Sequence, residues 1–183
     1  MTPDFEDLLT HLNAEGARYL IVGAYAVGIY AQPRATKDLD IFIGSDTANG
    51  EVVWRALAKF GAPVADIPPD ELAEPYTFFT WGNPPFRVDI LTRISGVTFE
   101  DAWSRRTVHT VNDATGLTAP FISAADLIVN KLEAGRDPER LQDLADAQAL
   151  RRAAEVRNDD PRDNQPEPPS TNKRPRGRGG RGR

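Results

Sequence analysis

The chain has 183 residues, a length that favours one compact domain with a short extension. It has no cysteine, which excludes disulfides and thiolate metal sites, and only two histidines, so a bound metal would be held mainly by oxygen ligands. The N-terminus lacks the pattern of a signal peptide, and no apolar run reaches the roughly 20 residues of a membrane span. We therefore expect a cytoplasmic protein without membrane contact.

The net charge of −5 combines an acidic part and a basic part. Residues 161–183 contain seven Lys or Arg and two acidic residues, which is +5 and leaves 15 basic and 25 acidic residues, or −10, in residues 1–160. This acidic part is a poor nonspecific partner for nucleic acid. We predict a domain over residues 1–157 and a disordered Pro-, Gly- and Arg-rich tail over residues 158–183. The Arg-rich end of the tail either contacts RNA phosphates or only keeps the chain soluble.

Three elements are predicted near the N-terminus. Apolar residues at helical spacing within residues 5–12 predict an amphipathic helix, and Gly16 suits its C-cap. Residues 19–22 form a short apolar run that ends at Gly23, which predicts a buried strand. Residues 24–30 then predict a helix that follows the strand after a tight turn.

The middle of the chain favours strands. Residues 39–43 predict a second strand and residues 52–60 a helix. Residues 77–81 and 86–91 predict two paired strands around the Gly-Asn-Pro-Pro turn at residues 82–85.

The last elements combine short strands with helices. Residues 107–111 and 117–121 predict two more strands, and Ser123 begins a capping box for a helix to Ala134. An Asp-Pro pair at residues 137–138 suits the start of another helix. The whole pattern predicts an α/β (α+β) domain, in which a twisted mixed sheet is flanked by helices and followed by C-terminal helices and the tail.

Two carboxylates share one face of the second predicted strand. Strand alternation sends Leu39, Ile41 and Ile43 to one side and both Asp38 and Asp40 to the other. Like charges this close are unfavourable unless a cation neutralises them, and an oxygen-only pair suits Mg²⁺ or Mn²⁺. The alternative is a solvated edge strand with an acidic outer face.

A third carboxylate follows on a later predicted strand. Alternation places Phe86, Val88 and Ile90 inward and Asp89 on the opposite face. Three acids on neighbouring strands suit two divalent ions about 3.5 to 4 Å apart, an arrangement used for phosphoryl transfer. The alternative is a surface acid that pairs with Arg87.

The turn at Gly23 lies between a strand and a helix. Free backbone N–H groups and the positive end of the helix dipole suit an anionic phosphate there, and glycine permits close approach. An ordinary tight turn explains the same residues equally well.

This order of parts resembles the polymerase-β-like nucleotidyltransferase superfamily, with its small-residue turn, helix, D-x-D strand and later third acid. More narrowly, residues 19–43, 123–136 and 142–146 are similar to the AbiEii-type toxin and related small bacterial nucleotidyltransferases. The resemblance covers residues 17–150. One departure is Ala24, which replaces the second Gly or the Ser of the family turn and leaves phosphate binding to backbone amides.

The resemblance implies a metal-dependent enzyme that transfers a nucleoside monophosphate from an NTP and releases pyrophosphate. The acceptor would be an RNA 3′ end, a tRNA acceptor end or a protein hydroxyl, in a toxin–antitoxin setting with a cognate antitoxin or as a stand-alone enzyme. Mg²⁺ or Mn²⁺ would be held by Asp38, Asp40 and Asp89. The rival interpretation is a catalytically degenerate binding module, an antitoxin or a scaffold.

The resemblance also implies roles outside the acidic strands. Lys131 would contact phosphate or a catalytic acid, with Asp143 as its partner and Asp146 as the alternate. By helical spacing alone, Lys131 lies in an apolar stripe and equally suits a lysine whose ammonium reaches solvent. The predicted nucleotide-binding residues are Gly23, Ala24, Arg34, Thr36 and Lys37.

Overall fold

The computed structural model describes residues 1–84 and 86–158. Its strands are β1 Tyr19–Ile21, β2 Asp38–Ile43, β3 Phe78–Trp81, β4 Arg87–Leu91, β5 Thr107–Asn112 and β6 Leu117–Phe121. They form one mixed sheet in the order β3-β4-β2-β1-β6-β5. The β2–β4 and β1–β6 pairs are parallel, and the other pairs are antiparallel. β2 is therefore a central strand, so the alternative of a solvated edge strand is wrong.

The sheet is accompanied by helices. They are α1 Pro3–Glu15, α2 Gly23–Tyr30, α3 Thr47–Phe60, α4 Phe99–Ser104, α5 Ala124–Ala134 and α6 Leu141–Asn158, with 3₁₀ turns at Pro69–Ala73 and Pro138–Arg140. The predicted α/β class is confirmed, and each predicted strand and helix has a counterpart. The helix predicted to start at the Asp137-Pro138 pair begins at Leu141, because that pair starts a 3₁₀ turn instead. The short helix α4 and the 3₁₀ turn at Pro69–Ala73 were not predicted.

Helix α3 begins earlier than the apolar periodicity predicts. The predicted start was Val52, whereas the helix starts at Thr47 because the Asp46 side chain accepts a hydrogen bond of 2.9 Å from the Asn49 amide. Asn49 is a weak helix former, but it is buried and its side-chain amide donates to the Arg18 carbonyl. Tertiary contacts thus extend the helix beyond its apolar stripe.

The C-terminal helix reaches slightly past the predicted domain boundary. α6 ends at Asn158, one residue inside the predicted tail, and residues 159–183 lie outside the described part, as does Pro85 of the predicted turn. No helix in residues 1–84 and 86–158 is both long and apolar enough to cross a lipid bilayer.

Strand alternation is correct for β2 but fails at the start of β4. Leu39, Ile41 and Ile43 are completely buried, as predicted. Phe86 was predicted to point inward, but it is 48% exposed. It precedes β4 and belongs to a turn, in which its amide donates to the Asn83 carbonyl over 2.8 Å, so strand alternation does not apply to it.

The sheet register and the helix packing converge on one place. In the β2–β4 pair, Asp38 lies opposite Arg87 and Asp40 lies opposite Asp89. On β3, Thr80 lies opposite Asp89. α2 contacts β2, and α5 and α6 pack against each other and against α2. Residues from three strands and three helices therefore meet around the carboxylates.

Candidate active site

The three predicted carboxylates share one face of two adjacent parallel strands. Asp40 and Asp89 are direct partners in the β2–β4 register, and Asp38 lies two residues before Asp40 on the same face. Asp89 is only 4% exposed, and its Oδ1 accepts a hydrogen bond of 2.5 Å from the Thr80 hydroxyl. We call Asp38, Asp40 and Asp89 the acidic face.

Arg87 already supplies one positive charge to the acidic face. Its Nη2 lies 2.7 Å from Asp38 Oδ2 and 3.2 Å from Asp89 Oδ2. The alternative of a surface acid beside Arg87 is wrong for the surface position, because Asp89 is buried, although Asp89 does pair with Arg87. Among the described residues, the buried atoms Asp38 Oδ1 and Arg87 Nε have no hydrogen-bond partner. The ion pair leaves a carboxylate oxygen available as a ligand.

Asp40 is the acid whose charge is least compensated. Burial raises its pKa to about 6, and the charges of Asp89 and Asp38 add to the rise, whereas Lys131 and Arg87 oppose it. No hydrogen bond from the described residues reaches its side chain. A cation bound beside Asp40 would therefore relieve an existing electrostatic cost.

Gly23 is required by its closeness to Asp40. Its φ of 62° lies in the left-handed region, and a Cβ there would fall 1.9 Å from Asp40 Oδ2. Helix α2 starts at this glycine without a side-chain cap on its first amides. The positive end of α2 and its open N–H groups thus lie directly beside the acidic face, and Gly23 and Ala24 both line the adjoining cleft.

A buried ion network lies on the helical side of the same cleft. Lys131 is 5% exposed, and its Nζ lies 2.5 Å from Asp143 Oδ1 and 3.2 Å from Asp146 Oδ2. Each acid has a second cation, because Arg140 Nε lies 2.8 Å from Asp143 and Arg34 Nη2 lies 3.0 Å from Asp146. The Lys131 ammonium is therefore buried, and the alternative in which it extends to solvent is wrong. It contacts both Asp143 and Asp146, the two partners named from the sequence.

A cleft of about 740 Å³ joins the two sets of charges. This volume is within the usual range for small-molecule sites. Its lining includes every predicted site residue except Lys37, namely Gly23, Ala24, Arg34, Thr36, Asp38, Asp40, Asp89, Lys131 and Asp143. Lys37 is exposed and precedes β2, outside the lining. The Thr36 hydroxyl is engaged locally, since it donates to the Asp38 carbonyl over 3.2 Å.

The ligand atoms available on the acidic face are of the type that hard divalent cations bind. Its donors are carboxylate oxygens, which Mg²⁺ and Mn²⁺ prefer, and the unpartnered Asp38 Oδ1 and the bare Asp40 carboxylate are available. Within residues 1–84 and 86–158, however, no group of three or more His, Cys, Asp or Glu side chains is already arranged to hold a metal. The Arg87 pair occupies Asp38 Oδ2, so a cation at the acidic face would use Asp38 Oδ1 and the Asp40 carboxylate.

No protein-family model matches the chain, and no curated protein matches it. The geometry and chemistry of the cleft are therefore the basis for a functional proposal.

Several cleft residues were not predicted as functional. Arg87 was considered only as a partner of Asp89, although alternation puts the two side chains on one face. Tyr76 and Arg93 lie in the connections before β3 and after β4, where no periodicity marks them. Arg140 follows the Asp-Pro pair and enters the cleft because the 3₁₀ turn carries it onto Asp143.

Proposed function

We propose that this chain is a magnesium-dependent nucleotidyltransferase, which transfers a nucleoside monophosphate from an NTP to a hydroxyl group. The observation that carries the proposal is the direct pairing of Asp40 with Asp89, beside Asp38 and against the glycine that begins helix α2. These three carboxylates lie next to a helix N-terminus and in one cleft with Lys131, which supports a cation site beside a phosphate site.

The cleft offers complementary charges to a triphosphate and its cation. The first amides of α2, from Gly23 onward, suit phosphate oxygens. Arg34 and Arg140 line the same cleft with partly exposed side chains, so their guanidinium groups are accessible to an anion. Lys131 sits behind them in the buried network and orients Asp143 and Asp146.

The proposed reaction is an in-line displacement at the α-phosphorus. The acceptor oxygen forms a bond to that phosphorus, the bond from the phosphorus to the bridging β-phosphate oxygen breaks, and pyrophosphate leaves with the electron pair. The proton of the acceptor hydroxyl passes to a carboxylate of the acidic face. Asp38, Asp40 and Asp89 would hold Mg²⁺ or Mn²⁺, which supplies Lewis acidity and charge neutralisation when bound.

The acceptor class is part of the proposal. An RNA 3′ end, a tRNA acceptor end and a protein hydroxyl each present the required nucleophile. A toxin–antitoxin pair, with a cognate antitoxin that blocks the cleft, is the proposed biological setting. A cytoplasmic location follows from this setting, because NTPs are available there.

A second candidate function is favoured by Arg87. Its ion pairs with Asp38 and Asp89 place a cation of the protein at the acidic face, as expected for a degenerate domain that no longer binds metal. Such a domain would act as a binding module, either an antitoxin or a scaffold. Ala24, in place of a hydroxyl-bearing turn residue, favours the same candidate.

The test is a transfer assay with purified protein, α-labelled NTPs, Mg²⁺ or Mn²⁺, and total bacterial RNA or lysate. The nucleotidyltransferase proposal predicts that label moves to an acceptor and that Asp40→Asn abolishes the transfer. Asp113→Asn is the matched control, since Asp113 is exposed outside the cleft. If no NTP binds and no label moves with either metal, the binding-module candidate is the better one.

A further inference from the structure

Two large aromatic side chains are exposed at the cleft. Tyr76 is 71% exposed and Phe78 is 58% exposed, and both line the cleft that contains the acidic face. Other aromatic residues of the same region pack against each other, such as Phe79 and Trp81 with ring centroids 5.2 Å apart. Within the described residues, Tyr76 and Phe78 have no aromatic partner, and most of their side-chain surface is accessible to a ligand.

The position of Phe78 relative to the acidic face follows from strand geometry. Phe78 and Thr80 are two residues apart on the edge strand β3, so they share a face and lie about 7 Å apart along the strand. The Thr80 hydroxyl touches Asp89. The Phe78 side chain therefore leaves β3 on the same side as Thr80, two residues farther from the acidic face, and lines the cleft there.

The backbone holds Tyr76 in an unfavourable conformation. Its φ of 73° is in the left-handed region, which bulky residues rarely adopt. The next residue is fixed on two sides, because the Thr77 amide donates to the Thr92 hydroxyl over 2.8 Å and the Thr77 hydroxyl donates to the Glu71 carbonyl over 2.8 Å. Strain of this kind is retained where a side chain must be presented in one direction.

A cation completes the surface. The Arg93 guanidinium carbon lies 4.4 Å from the centroid of the Tyr76 ring. Arg93 is exposed, lines the same cleft and forms no ion pair with any described residue. An aromatic ring beside an uncompensated guanidinium is the combination that proteins use to stack an unpaired base and to contact its phosphate.

We propose that Tyr76, Phe78 and Arg93 form a stacking site for one unpaired nucleobase at the mouth of the cleft. The inference rests on the proposed function for its role and assigns the base either to the NTP or to the terminal nucleotide of an acceptor strand. Aromatic stacking has little preference among bases, so the site contributes affinity to nucleotides in general. A purely structural aromatic patch has no such preference for a ligand that carries a base.

The experiment uses binding without turnover, so that it does not depend on transferase activity. The full chain is titrated in Ca²⁺ with three probes, of which two are fluorescent: 2-aminopurine riboside triphosphate and a single-stranded oligonucleotide with 2-aminopurine at its 3′ end. The third, ribose triphosphate without a base, is measured by competition with the fluorescent triphosphate. Wild-type protein is expected to quench at least one fluorescent probe. Tyr76→Gly is expected to lower the affinity for that probe at least about tenfold, which is about 1.4 kcal/mol of binding free energy. Tyr76→Phe is expected to bind the probe as tightly as wild type.

A thermal midpoint and a control variant show whether a loss of affinity comes from the Tyr76 side chain itself. Tyr76→Gly relieves the left-handed backbone, so its thermal midpoint should be equal or higher, and lost affinity then cannot come from unfolding. Phe86→Ser is the control, because Phe86 is an exposed aromatic residue outside the cleft lining and should leave both probes unchanged.

The three probes separate the outcomes. If Tyr76→Gly loses affinity for the triphosphate alone, the stacked base belongs to the NTP. If it loses affinity for the oligonucleotide alone, the stacked base belongs to the acceptor. Unchanged affinity of Tyr76→Gly for both probes overturns the inference. If ribose triphosphate binds as tightly as the base-bearing triphosphate and the oligonucleotide does not bind, the stacking site is wrong while the proposed triphosphate site survives. If no probe binds, both proposals fail.

Discussion

The Arg87 guanidinium lies 2.7 Å from the Asp38 carboxylate, whereas no hydrogen bond of the described residues reaches the Asp40 side chain. The two acids of the D-x-D strand are therefore electrostatically unequal. Asp38 has a counter-ion of its own, and Asp40 faces the charges of its neighbours with burial added. The spacing of the two acids in the sequence does not predict this difference in electrostatic environment.

The first prediction follows from this inequality. In metal-free buffer near neutral pH, Asp40→Asn should raise the thermal midpoint by about 2 to 4 °C, because it removes a charge that burial and two neighbouring carboxylates destabilise. Asp38→Asn should lower the midpoint, because it leaves Arg87 without its shorter ion pair. Scanning calorimetry with EDTA measures both, and Asp113→Asn serves as the control. Equal shifts in the same direction would show that the Arg87 pair does not distinguish the two acids.

The second prediction concerns the buried lysine. Lys131→Met removes the ammonium from between Asp143 and Asp146, and we expect a loss of about 2 to 4 kcal/mol in the free energy of unfolding. The loss is limited because Arg140 and Arg34 still neutralise the two acids. Urea titration monitored by circular dichroism measures it.

Two variants make the Lys131 test specific. Adding Asp143→Asn to Lys131→Met should recover part of the lost stability, because it removes one of the carboxylates left without the lysine. Arg136→Ala should have little effect, since Arg136 is exposed and its pair within the described residues is a surface pair with Glu133. A Lys131→Met protein as stable as wild type would contradict the buried network.

The third prediction is a pH dependence at the start of α5. Burial alone would raise the pKa of Asp126, but hydrogen bonds from Arg105 and Ser123 outweigh it and hold the pKa below its ordinary value of 3.8. Arg105 contacts Asp126 through two nitrogens, at 3.1 and 2.7 Å. The stability that these bonds contribute is therefore present above pH 3.8 and is lost as the pH falls through the lowered pKa.

The measurement compares Asp126→Asn with wild type at several pH values. Near pH 7 the variant should lose about 1.5 to 3 kcal/mol in the free energy of unfolding, the usual contribution of hydrogen bonds to a charged group. The difference should shrink below pH 3.8. A difference that stays constant down to the lowest pH at which both proteins fold would show that the charge of Asp126 has no part in it.

The fourth prediction concerns the tail predicted from sequence. Deleting residues 161–183 should leave the thermal midpoint unchanged, because this segment contains no aliphatic or aromatic residue to bury. The described elements end at Asn158, before the deletion. Thermal unfolding of the two proteins in the same buffer is sufficient, and a fall of several degrees on truncation would show that the tail docks on the domain.

Local patterns were sufficient to predict the acidic face and its turn. Alternation along β2 separated the buried Leu39 and Ile41 from Asp38 and Asp40, and a glycine at the end of β1 marked the turn. Strand alternation and a turn glycine can both be recognised within a few consecutive residues. The in-register pairing of Asp40 with Asp89 needed tertiary structure, because it depends on which strands are neighbours.

The burial of Lys131, the short helix α4 and the exposure of Phe86 could not be predicted from local sequence patterns. The two interpretations of Lys131, a solvated ammonium or a buried one, differ only in whether α6 covers it, and α6 does. Helix α4 has six residues, too few to establish a helical period. The failure at Phe86 arose because Phe86 still belongs to the turn before β4, and the strand begins only at Arg87.

The central claim is that the acidic face transfers a nucleotidyl group, and parallel reactions with α-labelled and γ-labelled NTP test it most directly. Each reaction contains the same acceptor pool and Mg²⁺, with wild type, Asp40→Asn and Asp89→Asn. We expect that the α label enters the acceptor and the γ label leaves as pyrophosphate with wild type only. Transfer of the γ label to the acceptor, or undiminished transfer of the α label by either variant, would contradict it.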